Sequence, residues 1–269
     1  MTRREPAAIH HHANRQRGFC EIVCLRSIAL FVTMILIIAP SPSYAQWGGG
    51  GRWNTEQNDP PLSELIVARW RFGNNGIFRG FGWAHNYPSS DQNFNEYIAQ
   101  TTGVDIDKMS YRIVELGHDD VFDYPFAYIS EPGEMELTNR EVENLREFVN
   151  RGGFVLMDDF DGPIQLATMK QQVRRAFPER SWIPLDIGHP IFRMHFELKD
   201  LQGMDPYVPG GRVNYIAMID DTGRIVMIAG HNNDLANFWD WYDEARMPLR
   251  PAADAFRLGV NYVVYAMSH

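Results

Sequence analysis

The chain switches repeatedly between two hydrophobic periods. Leu65-Ile-Val-Ala-Arg-Trp-Arg-Phe72 alternates every second residue, with Arg69 and Arg71 on one side and Ala68, Trp70 and Phe72 on the other, which predicts a first strand. Pro88-Ser-Ser-Asp91 then offers helix-start residues, Phe94, Tyr97 and Ile98 share one face, and Gly103 marks the stop. Strands are predicted again over 111–116 and 123–130. Thr138-Asn-Arg-Glu141 has capping-box spacing ahead of the helical stripe Val142, Leu145, Phe148 and Val149, and Gly152 suits the left-handed residue that closes such a helix. Phe154-Val-Leu-Met157 is apolar throughout, as a strand covered on both faces must be.

Beyond it, Pro163 suits the first turn of a helix that places Ile164, Met169, Val173 and Phe177 inside and stops at Pro178. Trp182-Ile-Pro-Leu185 reads as a short extended piece, with His189-Pro-Ile-Phe192 in a loop. Residues 213–219 and 224–229 flank the turn Asp220-Asp-Thr-Gly223 and predict a β-hairpin. A last helix over 252–267 buries Phe256, Val260, Val263, Val264 and Met267. Strand, helix and strand alternate through the first half, so the predicted class is α/β with a mostly parallel sheet.

The first 45 residues stand apart from this pattern. Arg15, Arg17 and Arg26 precede an apolar run, Ile28-Ala-Leu-Phe-Val-Thr-Met-Ile-Leu-Ile-Ile-Ala39, and Ser43 and Ala45 give it a small-x-small end. That is the form of a secretory signal peptide cleaved after Ala45, with an uncleaved anchor as the alternative. The expected localisation is periplasmic or secreted, with membrane attachment only through this segment if it is retained. Residues 46–61, with Gly48-Gly-Gly-Gly51 and Asp59-Pro-Pro61, read as a flexible linker, and residues 62–269 as a single domain.

Both cysteines, Cys20 and Cys24, fall in the leader, so the expected mature chain has no disulfide, no thiolate nucleophile and no thiolate metal site. Removing the leader leaves 20 basic against 32 acidic residues. Such an acidic exported chain is a poor partner for nucleic acid or for an anionic membrane surface.

Candidate chemistry gathers where the apolar strand ends. Asp158, Asp159 and Asp161 lie within four residues after it, and the carboxyl ends of strands are where open α/β sheets bind ligands. Three such carboxylates suit a hard divalent cation or an acid–base group; solvated loop residues with one aspartate capping the next helix are the plainer alternative. His85, His189 and His231 are loop histidines that could complete a His/Asp metal site, or simply fix turns. The glycine- and aromatic-rich loop 73–87 offers Trp83 and Tyr87 either as an exposed stacking platform or as plugs at the core's rim. No phosphate loop, dinucleotide turn or G-x-S-x-G elbow is present, which disfavours nucleotide and serine-hydrolase chemistry.

The ordered series Trp70-Arg-Phe72, Tyr124-Pro-Phe-Ala-Tyr128, Leu145-Arg-Glu-Phe-Val-Asn-Arg-Gly-Gly-Phe-Val-Leu-Met-Asp-Asp159, Phe177-Pro178, His189-Pro-Ile-Phe192, Gly230 and Arg257-Leu-Gly-Val-Asn-Tyr-Val-Val-Tyr-Ala266 resembles the bacterial DUF4159 domain. The resemblance implies a flavodoxin-like, class I glutamine amidotransferase-like three-layer sandwich, here with a C-terminal β-hairpin and helix. Some relatives are joined to membrane segments and von Willebrand A-type modules of the Bat kind, which implies an envelope setting. No activity comes with the resemblance. True amidotransferases carry a nucleophilic cysteine on the turn that here corresponds to Met157-Asp158-Asp159, so glutamine hydrolysis by that route is excluded.

The leading expectation is a non-catalytic ligand- or protein-binding domain with Asp158, Asp159, Asp161, His189, His231, His85 and Trp83 lining its site. No cofactor is predicted, and a divalent metal is compatible with the residues. The alternatives are a metal-dependent hydrolase of envelope carbohydrate or peptide, and a scaffold subunit of a Bat-like complex. The expected partner is an envelope protein or a small ligand.

Overall fold

A computed structural model describes residues 54–76, 80–202, 204, 211–243 and 247–269. The leader, its two cysteines and the glycine run after it lie outside the described residues. Seven strands form one sheet: β1 (Val67–Arg71), β2 (Tyr111–Glu115), β3 (Phe126–Ser130), β4 (Phe154–Phe160), β5 (Ile183–Leu185), β6 (Asn214–Ile219) and β7 (Ile225–His231). Their order is β2-β1-β3-β4-β7-β6-β5. β2, β1, β3, β4 and β7 run parallel, while β5 and β6 join antiparallel at one edge. The predicted hairpin is therefore present, and its second strand is also the parallel neighbour of β4.

Five α-helices cover the sheet: α1 (Ser89–Thr101), α2 (Asn139–Asn150), α3 (Gly162–Ala176), α4 (Leu235–Asp240) and α5 (Leu249–Ser268). Alternate residues of β4 feed two separate cores. Phe154 and Leu156 meet Phe94, Ile98, Trp239 and Phe256 from α1, α4 and α5. Val155 and Met157 meet Leu145, Phe148, Met169 and Val173 from α2 and α3. That division, one apolar layer per face, is the α/β class expected from the pattern and the three-layer sandwich implied by the resemblance.

Local signals explain most of the boundaries. Thr138 Oγ1 accepts from the Glu141 N–H while the Glu141 carboxylate accepts from Thr138 N–H, so the capping box opens α2. Gly152 closes it at φ 98°. The predicted burial of Ile164 and Met267 is not found: they are 80% and 41% exposed, because both lie at the outer margins of their helices. The strand read over 154–157 continues through the acidic residues to Phe160, and α4 was not anticipated.

β2 is an edge strand, and the chain's own approach covers it. Gln57 donates from Nε2 to the Ile113 carbonyl at 2.7 Å, and its Oε1 accepts from the Ile113 N–H at 2.9 Å. Asn58 Nδ2 donates to the carbonyls of Met109 and Tyr111. Two side-chain amides thus take the place of a neighbouring strand and blunt the edge against pairing with another chain.

Helix packing is close at Gly259 of α5. Phe94 and Trp239 stack there at 4.1 Å between centroids, and a Cβ on Gly259 would lie 2.5 Å from Phe94 Cε2 and 2.8 Å from Trp239 Cζ2. Gly259→Ala is expected to cost about 1–3 kcal/mol by overpacking, read as a lowered midpoint in thermal or urea unfolding. An unchanged midpoint would mean that the stack yields without strain.

Candidate functional site

The site begins with a buried guanidinium. Arg69 sits on β1 at 1% exposure, on the face read from sequence simply as its charged side. All five of its donors are engaged. Nε and Nη2 grip the two oxygens of Asp91 at 3.3 and 2.5 Å, and Nη2 also donates to Ser90 Oγ. Nη1 donates to the carbonyls of Trp83 and His85 at 3.2 and 3.1 Å. The planar fork therefore fixes the start of α1 and the loop that carries His85 with one side chain. Tyr128 lies under the guanidinium at 4.5 Å.

His85 is thereby held over the carboxyl end of β4. Its Nδ1 lies 2.5 Å from Asp159 Oδ2, and Ser130 Oγ, at the end of β3, donates to that same oxygen at 3.1 Å. Asp234 arrives from the end of β7. There the chain turns at Asn232, Asn233 pairs back on Phe160, and the Asn233 carbonyl accepts from Asp159 N–H at 3.2 Å. Asp234 Oδ1 caps α4 by accepting from Asn237 N–H, and Oδ2 has no donor. One ligand-type atom from each of His85, Asp159 and Asp234 lies within 4.8 Å of the others, and all three residues are buried.

Four described non-glycine residues have positive φ, and all four adjoin this rim: Asn86 (59°), Glu131 (54°), Asp159 (63°) and Asn232 (59°). Asn and Asp tolerate this region better than other residues; a glutamate there is held by its surroundings. At Asp159 the cause is a bulge. The β4–β7 register shifts between Met157 and Phe160, and the extra residue turns Asp159 out of the pleat toward His85.

Asp158, one residue earlier, has a different task. Its Oδ2 accepts from Tyr128 Oη at 3.0 Å and from the N–H groups of Leu235 and Ala236 at 2.7 and 3.2 Å, anchoring the first turn of α4. Burial, then the neighbouring Asp159, pushes its carboxyl up to about 8 against those hydrogen bonds. Burial and the charges of Asp159 and Glu134 push Glu131 up to about 10. Burial, then Asp159 and Asp158, holds Asp234 well above the carboxylate range. Among the described residues no Lys or Arg pairs with any of these acids; Arg69 is committed to Asp91.

The residues proposed from sequence divide accordingly. His85, Asp158 and Asp159 converge at the rim. His231 is buried at the end of β7 but belongs to the opposite face, stacked near Phe160, with Nε2 bonded to the Gly162 carbonyl at 2.9 Å. Asp158 and His231 thus cannot share one ion. Asp161 sits on His231's side at the start of α3, its carboxyl raised by burial and by Asp159, and makes no side-chain cap bond there. His189 fixes a turn between β5 and β6, accepting at Nδ1 from Ile191 N–H. Trp83 and Tyr87 are 1% and 6% exposed, so these two aromatics plug the core and offer no stacking platform.

Sequence reading missed Ser130, Glu131, Asp234 and Arg69. Asp234 alone carried a signal, as the residue of Asn-Asn-Asp before Leu235 that suits a helix N-cap.

The position agrees with the sheet's topology, since β1 and β3 are the strands from which the chain departs to opposite sides and ligands collect outside such a reversal. With this geometry in place the comparison is informative. The family model of DUF4159, a domain of unknown function, matches residues 68–267, and the chain belongs to that family. No curated protein matches it.

Removing Arg69 should be severe. Arg69→Met leaves Asp91 buried without its cation, held only by Ser90 Oγ among the described residues, and frees two loop carbonyls, and a loss of about 3–5 kcal/mol is expected in chemical unfolding. A loss below about 1 kcal/mol would show that water replaces the guanidinium. A second expectation concerns pH. Glu131 keeps its proton in the fold from its ordinary value of 4.5 up to about 10, while the unfolded chain releases it at the lower end. Stability from this group is therefore full below the lower value and declines as pH rises through the window. Glu131→Gln should flatten the fall of melting temperature with pH; an identical slope would mean that Glu131 is ionised in the fold.

Proposed function

We propose that this DUF4159 domain is an exported cell-envelope protein that binds a small ligand at the carboxyl rim of its sheet and does not turn it over. The observation that carries the reading is Asp159. It occupies the left-handed turn at the end of the central strand, the place where an amidotransferase-like enzyme would present its nucleophile, and it is a carboxylate gripped by His85 and Ser130. A carboxylate so engaged is poorly placed to attack, and no cysteine follows residue 24.

The hydrolase alternative draws on the same acids, yet His85, Asp159 and Asp234 are 7%, 3% and 4% exposed, a setting for a small bound species more than for a polymer substrate. A protein-docking role draws on a different surface. Tyr97, Tyr242, Leu249 and Phe256 line a groove of about 220 Å³ between α1 and α5, with Leu249 84% exposed. The apolar leader and the acidic balance of the rest support export.

Two measurements test the proposal on the full chain expressed in a bacterial host. Fractionation with intact-mass analysis should find the protein in the periplasm beginning at Gln46; a cytoplasmic chain that keeps its first 45 residues refutes export. Native mass spectrometry should show an adduct that denaturation releases and that Asp159→Asn diminishes. Steady hydrolysis of peptide, ester or glycoside reporters, abolished by the same substitution, would instead establish an enzyme.

A further inference from the structure

The class of ligand follows from charge and geometry at the rim. Asp159 and Asp234 bring two buried carboxylates into a space where, among the described residues, no Lys or Arg pairs with them. His85 adds an imidazole from a third element, and the three donor atoms lie within 4.8 Å of one another. Acidic clusters on a surface are common and mean little. This one is internal, and among the described residues Asp234 Oδ2 is buried without a donor, beside the Asp159 carboxylate, while Oδ1 is held by Asn237 N–H. A buried acceptor without a partner asks for either a proton or a cation.

We infer that His85, Asp159 and Asp234 hold one divalent transition-metal cation, for which Zn²⁺ is the best match and Mn²⁺ the nearest alternative. The inference rests on the binding reading of this same site and names its ligand. Two carboxylates against a divalent ion leave no net charge, which removes the cost of burying them. An imidazole with two carboxylates suits Zn²⁺ or Mn²⁺ better than Ca²⁺ or Mg²⁺, which take oxygen donors. Ligand distances of about 2.0–2.2 Å place tetrahedral donors roughly 3.4 Å apart. A cation would draw donors that now lie within 4.8 Å of one another to that spacing, with the His85–Asp159 hydrogen bond exchanged for two metal bonds and its proton released.

The surroundings are those of a supported site. Ser130 Oγ donates to Asp159, Asn237 N–H donates to Asp234, and Arg69 fixes the backbone carbonyl of His85. Such outer partners orient ligands and raise affinity. His231, at the end of β7, is bonded to the Gly162 carbonyl at the start of α3 and serves as an internal control.

The test uses the full chain, purified without chelator, analysed for bound elements, then stripped and titrated with ZnCl₂, MnCl₂ and MgCl₂ by calorimetry and thermal melting. Expected are about one equivalent of Zn²⁺ or Mn²⁺, no response to Mg²⁺, and a rise in melting temperature of about 5 °C or more at saturating metal. Asp159→Asn and Asp234→Asn should each weaken binding at least tenfold while circular dichroism stays unchanged; Asn at 234 keeps the acceptor for Asn237. His231→Gln should bind like the parent. The inference is overturned by a chain that takes up neither ion, or by stoichiometric uptake that survives both aspartate substitutions. If uptake fails while the native-mass adduct persists, the cation is wrong and the binding reading stands. If both are absent, both fall.

Discussion

A guanidinium removed from water is tolerable only when every N–H finds an acceptor, and the arrangement of this domain's rim follows from satisfying Arg69. Its five donors are shared among the Asp91 carboxylate, Ser90 Oγ and the carbonyls of Trp83 and His85. The consequences spread outward from that one requirement. The loop after β1 must fold back over the strand ends, α1 must begin beneath it, and Trp83 and Tyr87 must turn inward. The segment that carries Trp83 and His85 is thus held by a charge. Its apolar content then seals the charge from solvent.

The second constraint is the set of left-handed residues. Asn86, Glu131, Asp159 and Asn232 occur where the chain leaves the β1 loop, β3, β4 and β7. Each such residue outside glycine costs of order 1–3 kcal/mol unless its surroundings over-determine it. Random irregularity would scatter them along the loops. Here each adjoins a group that faces the rim: His85, Ser130, Asp159 itself, and Asp234 beyond the turn at Asn232. Backbone strain and buried carboxylates are both unfavourable alone, and finding them at one place points to a site whose geometry is maintained for more than packing.

Much of the scaffold was legible in the chain, for physical reasons. The period of β1 and the stripe of α2 are local consequences of which face is buried, and the capping box and Gly152 are chemical stop signals that operate over a few residues. The family match over residues 68–267 bears out the resemblance, and the three-layer form that the resemblance added is seen in the sheet and the core on each of its faces. The site was legible only in part. Asp158 and Asp159 were visible because an apolar strand ended on them. Ser130 and Glu131 were not, because nothing in Tyr-Ile-Ser-Glu-Pro distinguishes a rim from an ordinary loop. Arg69 could be placed on a strand face but not assigned a role, because its partner lies 22 residues on. Ile164 errs in the other direction, since an apolar residue in a first helical turn can project past the core's edge.

The fate of the three aspartates after β4 shows what strand geometry adds to composition. In sequence they are equivalent carboxylates within four residues. In the sheet, successive residues face opposite sides, so Asp158 inherits the α4 side and serves the amide groups of Leu235 and Ala236. The bulge then inserts one residue, and Asp159 turns to the rim, where it meets His85 and Asp234. Asp161 follows on the α3 side, near His231. The sheet therefore sorts one acidic run into an anchor, a rim ligand and a partner for a histidine on the far face. A cation that neutralised the rim would act on Asp159 and Asp234 alone. It would leave Asp158 under the helix it anchors, while Asp234, which caps that same helix through Oδ1, would tie the cation to the first turn of α4.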